Sequence, residues 1–307
     1  LHSQRRWQDL ARTLLLPLQP YLAGARHLYF VPHDALHYVP FHALMNIDQL
    51  TGVTPTTTSY APSASILLKS YRLLKSYSAE ARPNAPRTAL AVGVDQGELT
   101  HAEAEARWIA QTLHGDALLG AAATVAQVRR ALPAYQVLHF SCHGYFRQRQ
   151  PMESALQLAD GELTAAELLR SGKLAADMVV LSACDTGLNQ LRPGDEPLGL
   201  TRALLGCGAR SLVVTLWPVH EIPTRLLMEQ FYAAWGQGLA KAAALTAAQR
   251  YLTTLTLPAL HDRLVEFGLD TEVVMATLQQ FQAMLPGSHP FNHPYYWGAF
   301  LLVGDPA

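Results

Sequence analysis

The sequence predicts an α/β fold, a mostly parallel sheet with helices on both faces. Three observations carry this. The segments VLHFSCHG (137–144) and DMVVLSACDTG (177–187) are runs of apolar and β-branched residues that close on small residues and a Gly. That is the pattern of a buried parallel strand stopping at a loop. Strand-type and helix-type segments then alternate along most of the chain after residue 88. Finally, 307 residues with 50% hydrophobic content are enough for a large core in one or two domains.

Composition excludes several classes. A formal net charge of −1 with no long run of like charges argues against a nucleic-acid partner. Three cysteines make no disulfide framework and suit a reducing compartment, so a cytoplasmic location is expected. No apolar run approaches the roughly 18 residues of a membrane span. The chain opens on LHSQRRWQDL, with no initiator Met and no apolar signal core, and is expected to be cut from a longer protein.

In order along the chain, Trp7, Leu10, Leu14, Leu15, Leu18 and Leu22 lie at helical spacing, in a helix bent or ended by Pro17 and Pro20. Residues 27–32 read as a short strand. Residues 33–45 read as a turn, an extended piece and a helix start, and 54–60 as a β-prone stretch. Pro62-Ser63 opens a helix of about 66–76. The Pro-rich, polar stretch 79–88 is the linker. Beyond it, 89–94 is a strand and 101–113 a helix with Glu103 and Glu105 in its first turn, where the dipole favours acids. Thr124 caps a helix to about 132. After the strand ending at His143, 155–163 reads as a hairpin around Asp160-Gly161. Thr164 caps a helix to about 171, with Glu167 at the capping-box position. The strand ending at Cys184 follows. Then come a helix at 197–206, a buried strand at 211–217, helices at 222–236 and 239–256, and a last strand at 297–303.

In an open α/β sheet, chemistry collects at the carboxyl ends of the strands. His143 and Cys184 close two such strands, 184 − 143 = 41 residues apart, which leaves room for one crossover helix. A neighbouring imidazole lowers a thiol's pKa and later protonates the leaving amine. Acyl transfer also needs backbone donors at the oxyanion, for which the amides of Gly144 and Cys184 are the candidates. Ser182, Ala183, Thr186 and Gly187 are small and leave room for a substrate backbone. The bland alternative is that the Cys is a small core residue and the His a structural one. His139 lies inside the apolar run and is expected to make a core hydrogen bond. Cys142 alternates to the opposite face, and Cys207, in LLGCGA, packs. Ser182 is an alternative nucleophile without a G-x-S-x-G elbow. His33, His37, His289 and His293 have no C-x-x-C to complete a zinc site, and no phosphate loop is present. No metal or cofactor is called for.

Taken together and in this order, HFSCHG, VVLSACDTG, GDEPLGLTRALLGCGARSLVVTLWPV and HPYYWGAFLLVG resemble the CHAT domain. That family belongs to the caspase-like cysteine peptidases, with separase and caspases as distant relatives. VPHDALHYVPFHAL and SYAPSASIL match its first part. The resemblance implies a caspase-like, mostly parallel sheet flanked by helices, with His143 and Cys184 as the dyad. It implies that residues 1–85 form a smaller degenerate caspase-like half and 86–307 the peptidase domain. By resemblance to caspases, Trp217, Pro218 and Val219 wall the substrate cleft, and Asp185, Asp195 and Glu196 help build the primary pocket. The alternatives are that Trp217 only packs against the core and that the acids are solvated. One departure is His220-Glu221 after WPV, where members often carry two acidic residues. Members are often fused to tetratricopeptide repeats or other sensors.

The expectation is an intracellular cysteine endopeptidase acting on a protein or peptide substrate, with a fused or separate sensor or repeat partner. The alternative is a catalytically inactive CHAT pseudo-protease that serves as a docking module. The acids after Cys184 point to a basic residue before the cut, with a large apolar one as the alternative if they face solvent. Arg202 and Arg210 are read as structural, which leaves Arg147 and Arg149 as the cationic candidates for an acidic one.

Overall fold

The apolar runs fold into strands. A computed structural model describes residues 2–22, 24–47, 57–68, 88–96, 101–147, 150–182, 198–284 and 287–307. Its strands are β1 (His27–Phe30), β2 (Thr57–Tyr60), β3 (Ala89–Gly93), β4 (Asp116–Leu119), β5 (Val137–Ser141), β6 (Gly144–Tyr145), β7 (Ala155–Leu158), β8 (Gly161–Thr164), β9 (Met178–Leu181), β10 (Ser211–Thr215) and β11 (Phe300–Gly304). Eight of them form one sheet in the order β1-β2-β11-β10-β9-β5-β3-β4. Every neighbouring pair is parallel except β10 with β11. The sheet is therefore two parallel blocks of opposite direction, and β1 and β2 extend the block begun by β11.

β3, β5, β9 and β10 are buried along their whole length, which explains their largely apolar sequences. Alternation divides their side chains between two cores. Leu138, Phe140 and Cys142 join Val179, Leu212 and the helices Val125–Ala131, Ala165–Arg170 and Leu198–Gly206. Val137, Met178 and Val213 join the helices Ala102–Thr112, Glu221–Gly236 and Lys241–Thr254 on the other face.

Local signals hold where side chains act on nearby backbone. Thr124 Oγ1 accepts the Gln127 N–H at 3.3 Å. Thr164 and Glu167 make the full capping box. β7 and β8 pair antiparallel around Asp160-Gly161. The first helix spans His2–Leu15 and passes into tighter turns at Leu16–Leu18, where Pro17 sits.

The departures have physical reasons. β5 stops at Ser141 because the chain bends at Cys142 and pairs Gly144 with Leu156. β10 stops at Thr215: the Leu216 amide donates to Ala299 O at 3.0 Å, and Pro218 has no N–H to offer. β11 starts at Phe300, not 297, and runs antiparallel to β10. β4 and the helices Leu257–Glu266 and Thr271–Met284 were not anticipated. The helix expected at about 66–76 has helical residues at 64–68, and its remainder lies outside the described residues, as does the linker except residue 88.

Beside β2, His42 is buried, with its Nδ1 2.9 Å from Tyr60 Oη. Burial lowers its pKa from 6.5 to about 3. Below its ordinary pKa the unfolded chain takes up a proton that the folded chain refuses. Stability is therefore present above pH 6.5 and is lost as pH falls from 6.5 towards 3. At pH 5 the loss is about 2 kcal/mol, from about 1.4 kcal/mol per unit. Urea unfolding at pH 7.5 and 5.0 is expected to show this loss in the wild type and not in His42→Gln. Equal pH slopes in the two proteins would contradict it.

Candidate active site

β5, β9 and β10 are parallel neighbours, so their carboxyl ends share one edge of the sheet. That edge carries His143 and Gly144 after β5, Ser182 after β9, and Trp217, Pro218 and Val219 after β10. Cys184, Asp185, Asp195 and Glu196 lie outside the described residues, as does Arg149.

His143 is half-buried, and its Nε2 lies 2.8 Å from the carbonyl oxygen of Gln96. A carbonyl only accepts, so the proton sits on Nε2 and the lone pair on Nδ1. The acceptor is set by the chain leaving β3. Gly93 lets the Ala102–Thr112 helix close on the strand end: a Cβ there would lie 2.7 Å from Ala102 O and from Ala106 Cβ. Asp95 Oδ1 then accepts the Glu103 N–H at 2.9 Å and ties the Gln96 loop to that helix. Glu221 closes the same corner, with Oε1 3.4 Å from the His101 amide.

Gly144 is the first residue of β6. The Gln157 amide donates to His143 O at 2.8 Å, which makes Gly144 and Leu156 a non-hydrogen-bonded pair. The ladder thus leaves the Gly144 N–H unused, one residue from the imidazole.

On the other side of the edge, Trp217 is half-buried and donates its Nε1–H to Tyr295 O at 2.9 Å. Its ring stands edge-on to Trp7 of the N-terminal helix, with centroids 6.3 Å apart. Pro218 and Val219 are half-buried beside it. His220 stands edge-on to Phe281 at 5.6 Å.

The remaining candidates separate cleanly. His139 makes the expected core contact: it is 0% exposed, with Nδ1 3.1 Å from Tyr232 Oη. Cys142 is 0% exposed and burial pushes its thiol up to about 12. Cys207 packs with its Sγ 3.3 Å from Leu168 O, and burial raises its pKa as well. Arg147 holds Glu162 through two hydrogen bonds of 2.8 and 2.7 Å. Arg210 is paired with Asp305 at 2.7 Å, and Arg202 is exposed on its helix. Among the described residues, no group of three or more His, Cys, Asp and Glu side chains could hold a metal ion, and no helix is long and apolar enough to cross a membrane.

Two features at this edge escaped the sequence reading. The Gln96 acceptor is a backbone carbonyl and leaves no side-chain signal. Glu105, read as a partner of the helix dipole, is instead buried, with Oε2 accepting from Ser141 Oγ at 2.9 Å.

The CHAT domain family model matches residues 4–305. Tetratricopeptide repeat protein 28 of Homo sapiens is 24% identical over 247 residues, which is 68% of this chain and 8% of that protein. The Mus musculus protein of the same name is 24% identical, and the chain spans 9% of it. Among solved structures, the separase–securin complex of Saccharomyces cerevisiae superposes with a TM-score of 0.57 at 14% identity, over 91% of this chain and 16% of that one. The complex of Porphyromonas gingivalis RgpB pro- and mature domains superposes with a TM-score of 0.53 at 10% identity, over 98% of this chain and 68% of that one. At these identities the superpositions speak for the fold.

Proposed function

Since this chain belongs to the CHAT domain family and has its caspase-like fold, we propose that it is an intracellular cysteine endopeptidase working through Cys184 and His143. One observation carries the proposal. His143 stands at the carboxyl end of β5 with Nε2 committed to Gln96 O at 2.8 Å, and its neighbour β9 leads towards Cys184. This leaves Nδ1 to take the thiol proton. The thiolate attacks the scissile carbonyl and the oxyanion is held by the amides of Gly144 and Cys184. The imidazolium then protonates the leaving amine, and water, deprotonated by the same imidazole, releases the acyl group from sulfur. The unused Gly144 N–H supports the first oxyanion donor.

In this proposal residues 86–307 are the peptidase domain and 1–85 the degenerate half, whose β1 and β2 extend the oppositely directed block. Trp217, Pro218 and Val219 form the cleft wall. Arg147 is held by Glu162 and is withdrawn from an acidic substrate side chain. Asp185, Asp195 and Glu196 then favour a basic residue before the cut. The three cysteines and the chemistry of a free thiol fit a reducing compartment, the cytoplasm.

A second reading, an inactive module that docks a partner, is favoured by one observation: the curated relatives are tetratricopeptide repeat proteins, of which the chain spans 8–9%. They support a repeat partner in either reading. A proteome-scale cleavage-site survey with wild-type and Cys184→Ala protein separates the two. The expected result is cuts after Arg or Lys that vanish in Cys184→Ala. Cuts after Asp would overturn the pocket assignment, and no Cys184-dependent cuts would favour the docking module.

A further inference from the structure

On β5, the strand that leads to His143, sits a group of buried polar side chains. Side chains alternate along β5, so His139 and Ser141 share one face, the face of the Ala102–Thr112 helix. Glu105 of that helix meets both: Oε2 accepts from Ser141 Oγ at 2.9 Å, and Oε1 lies 3.2 Å from His139 Nε2. Tyr232, from the Glu221–Gly236 helix, reaches His139 Nδ1 at 3.1 Å. The four residues are between 0% and 7% exposed. Burial and the Glu105 charge hold the Tyr232 pKa well above its usual value, so it stays a phenol. Its hydroxyl is the hydrogen-bond partner of Nδ1, and Nε2 lies against Glu105 Oε1 without the geometry of a hydrogen bond. Ser141 is thus hydrogen-bonded to one carboxyl oxygen of Glu105, and His139 packs against the other.

A buried carboxylate is expensive, and apolar side chains would fill this space at lower cost. Its placement gives it a use. The helix that carries Glu105 also donates its Glu103 N–H to Asp95, the residue before Gln96. The Val94 amide in turn donates to Ser141 O at 3.0 Å. One helix therefore references both ends of the His143–Gln96 hydrogen bond: the strand that carries the donor, through Ser141, and the loop that carries the acceptor, through Asp95.

We propose that Glu105, acting through Ser141 and His139, is a positioning residue that sets the tautomer and orientation of His143. Its catalytic consequence rests on the reading of His143 as the acid and base, while the positioning itself does not. Nitrogen NMR of histidine-labelled protein reads the His143 tautomer without substrate. The wild type is expected to hold Nε2–H. Ser141→Ala removes the hydrogen bond to Glu105, and Glu105→Gln replaces the carboxyl group against Ser141 and His139 with an amide. Both are expected to give mixed tautomers, and Ser141→Thr, which keeps the hydroxyl, restores the wild-type pattern. In peptide hydrolysis, kcat falls between about 10- and 100-fold in the two perturbed variants, with KM unchanged. Should Ser141→Ala not fold, Glu105→Gln carries the test. A wild-type His143 tautomer in the folded variants overturns the proposal, whatever their activity. A shifted tautomer in a protein that hydrolyses nothing leaves the positioning role standing and removes the peptidase reading.

Discussion

Replacing Cys184 or His143 with alanine is expected to lower kcat for peptide hydrolysis by on the order of 10⁶-fold while the protein stays folded. The two groups act as a unit. Without the imidazole the thiol is largely protonated and the leaving amine has no acid. Without the thiol the imidazole has nothing to activate. The double variant should therefore be no slower than the slower single one. Cys142→Ala and Cys207→Ala should keep most activity, since both thiols are buried with raised pKa values. The cost of Cys142→Ala should appear in stability, because Cys142 is packed in the core. Full turnover by Cys184→Ala would remove the dyad from the account.

The second large effect is at the opposite end of the sheet. Lys241 is 1% exposed, with Nζ 2.8 Å from Asp177 Oδ1, 3.1 Å from Ser211 Oγ and 3.8 Å from Asp305 Oδ2. These partners stand before β9, at the start of β10 and after β11, where the two opposed blocks meet. Burial lowers the ammonium's pKa against the pull of the two carboxylates. Lys241→Met leaves the buried Asp305 with Arg210 as its remaining cation. Breaking such a buried pair costs about 3–5 kcal/mol, a fall in Tm of roughly 10 °C. Adding Asp177→Asn should be less than additive, because the two groups share one network. Activity at 20 °C should survive, since the site is at the other end of β9 and β10. A Lys241→Met protein within about 1 kcal/mol of the wild type would show that the network does not join the blocks.

How much of this was legible follows from what each feature is made of. β5, β9 and β10 were readable because a strand buried on both faces has a largely apolar, β-branched sequence. Thr124 and Thr164 were readable because a cap acts within one turn of its own helix. β4 was not: Asp116–Leu119 has no β-branched residue and is a strand because its backbone pairs with β3. The direction of β11 follows from a long excursion of helices, a tertiary matter. His139 was placed by its position inside an apolar run. The hydrogen bond from Ser141 to Glu105 was not: Glu105 lies 36 residues earlier, and its first-turn position offered a simpler explanation. Gln96 acts through a carbonyl, which every residue has.

The most direct test of the dyad is a map of cysteine alkylation by iodoacetamide at pH 6.5, read by mass spectrometry on the native protein. The account predicts rapid labelling of Cys184, slowed in His143→Ala, with Cys142 and Cys207 unlabelled until the protein is unfolded. Equal labelling of the three cysteines, preferential labelling of Cys142, or a Cys184 rate indifferent to His143 would contradict it.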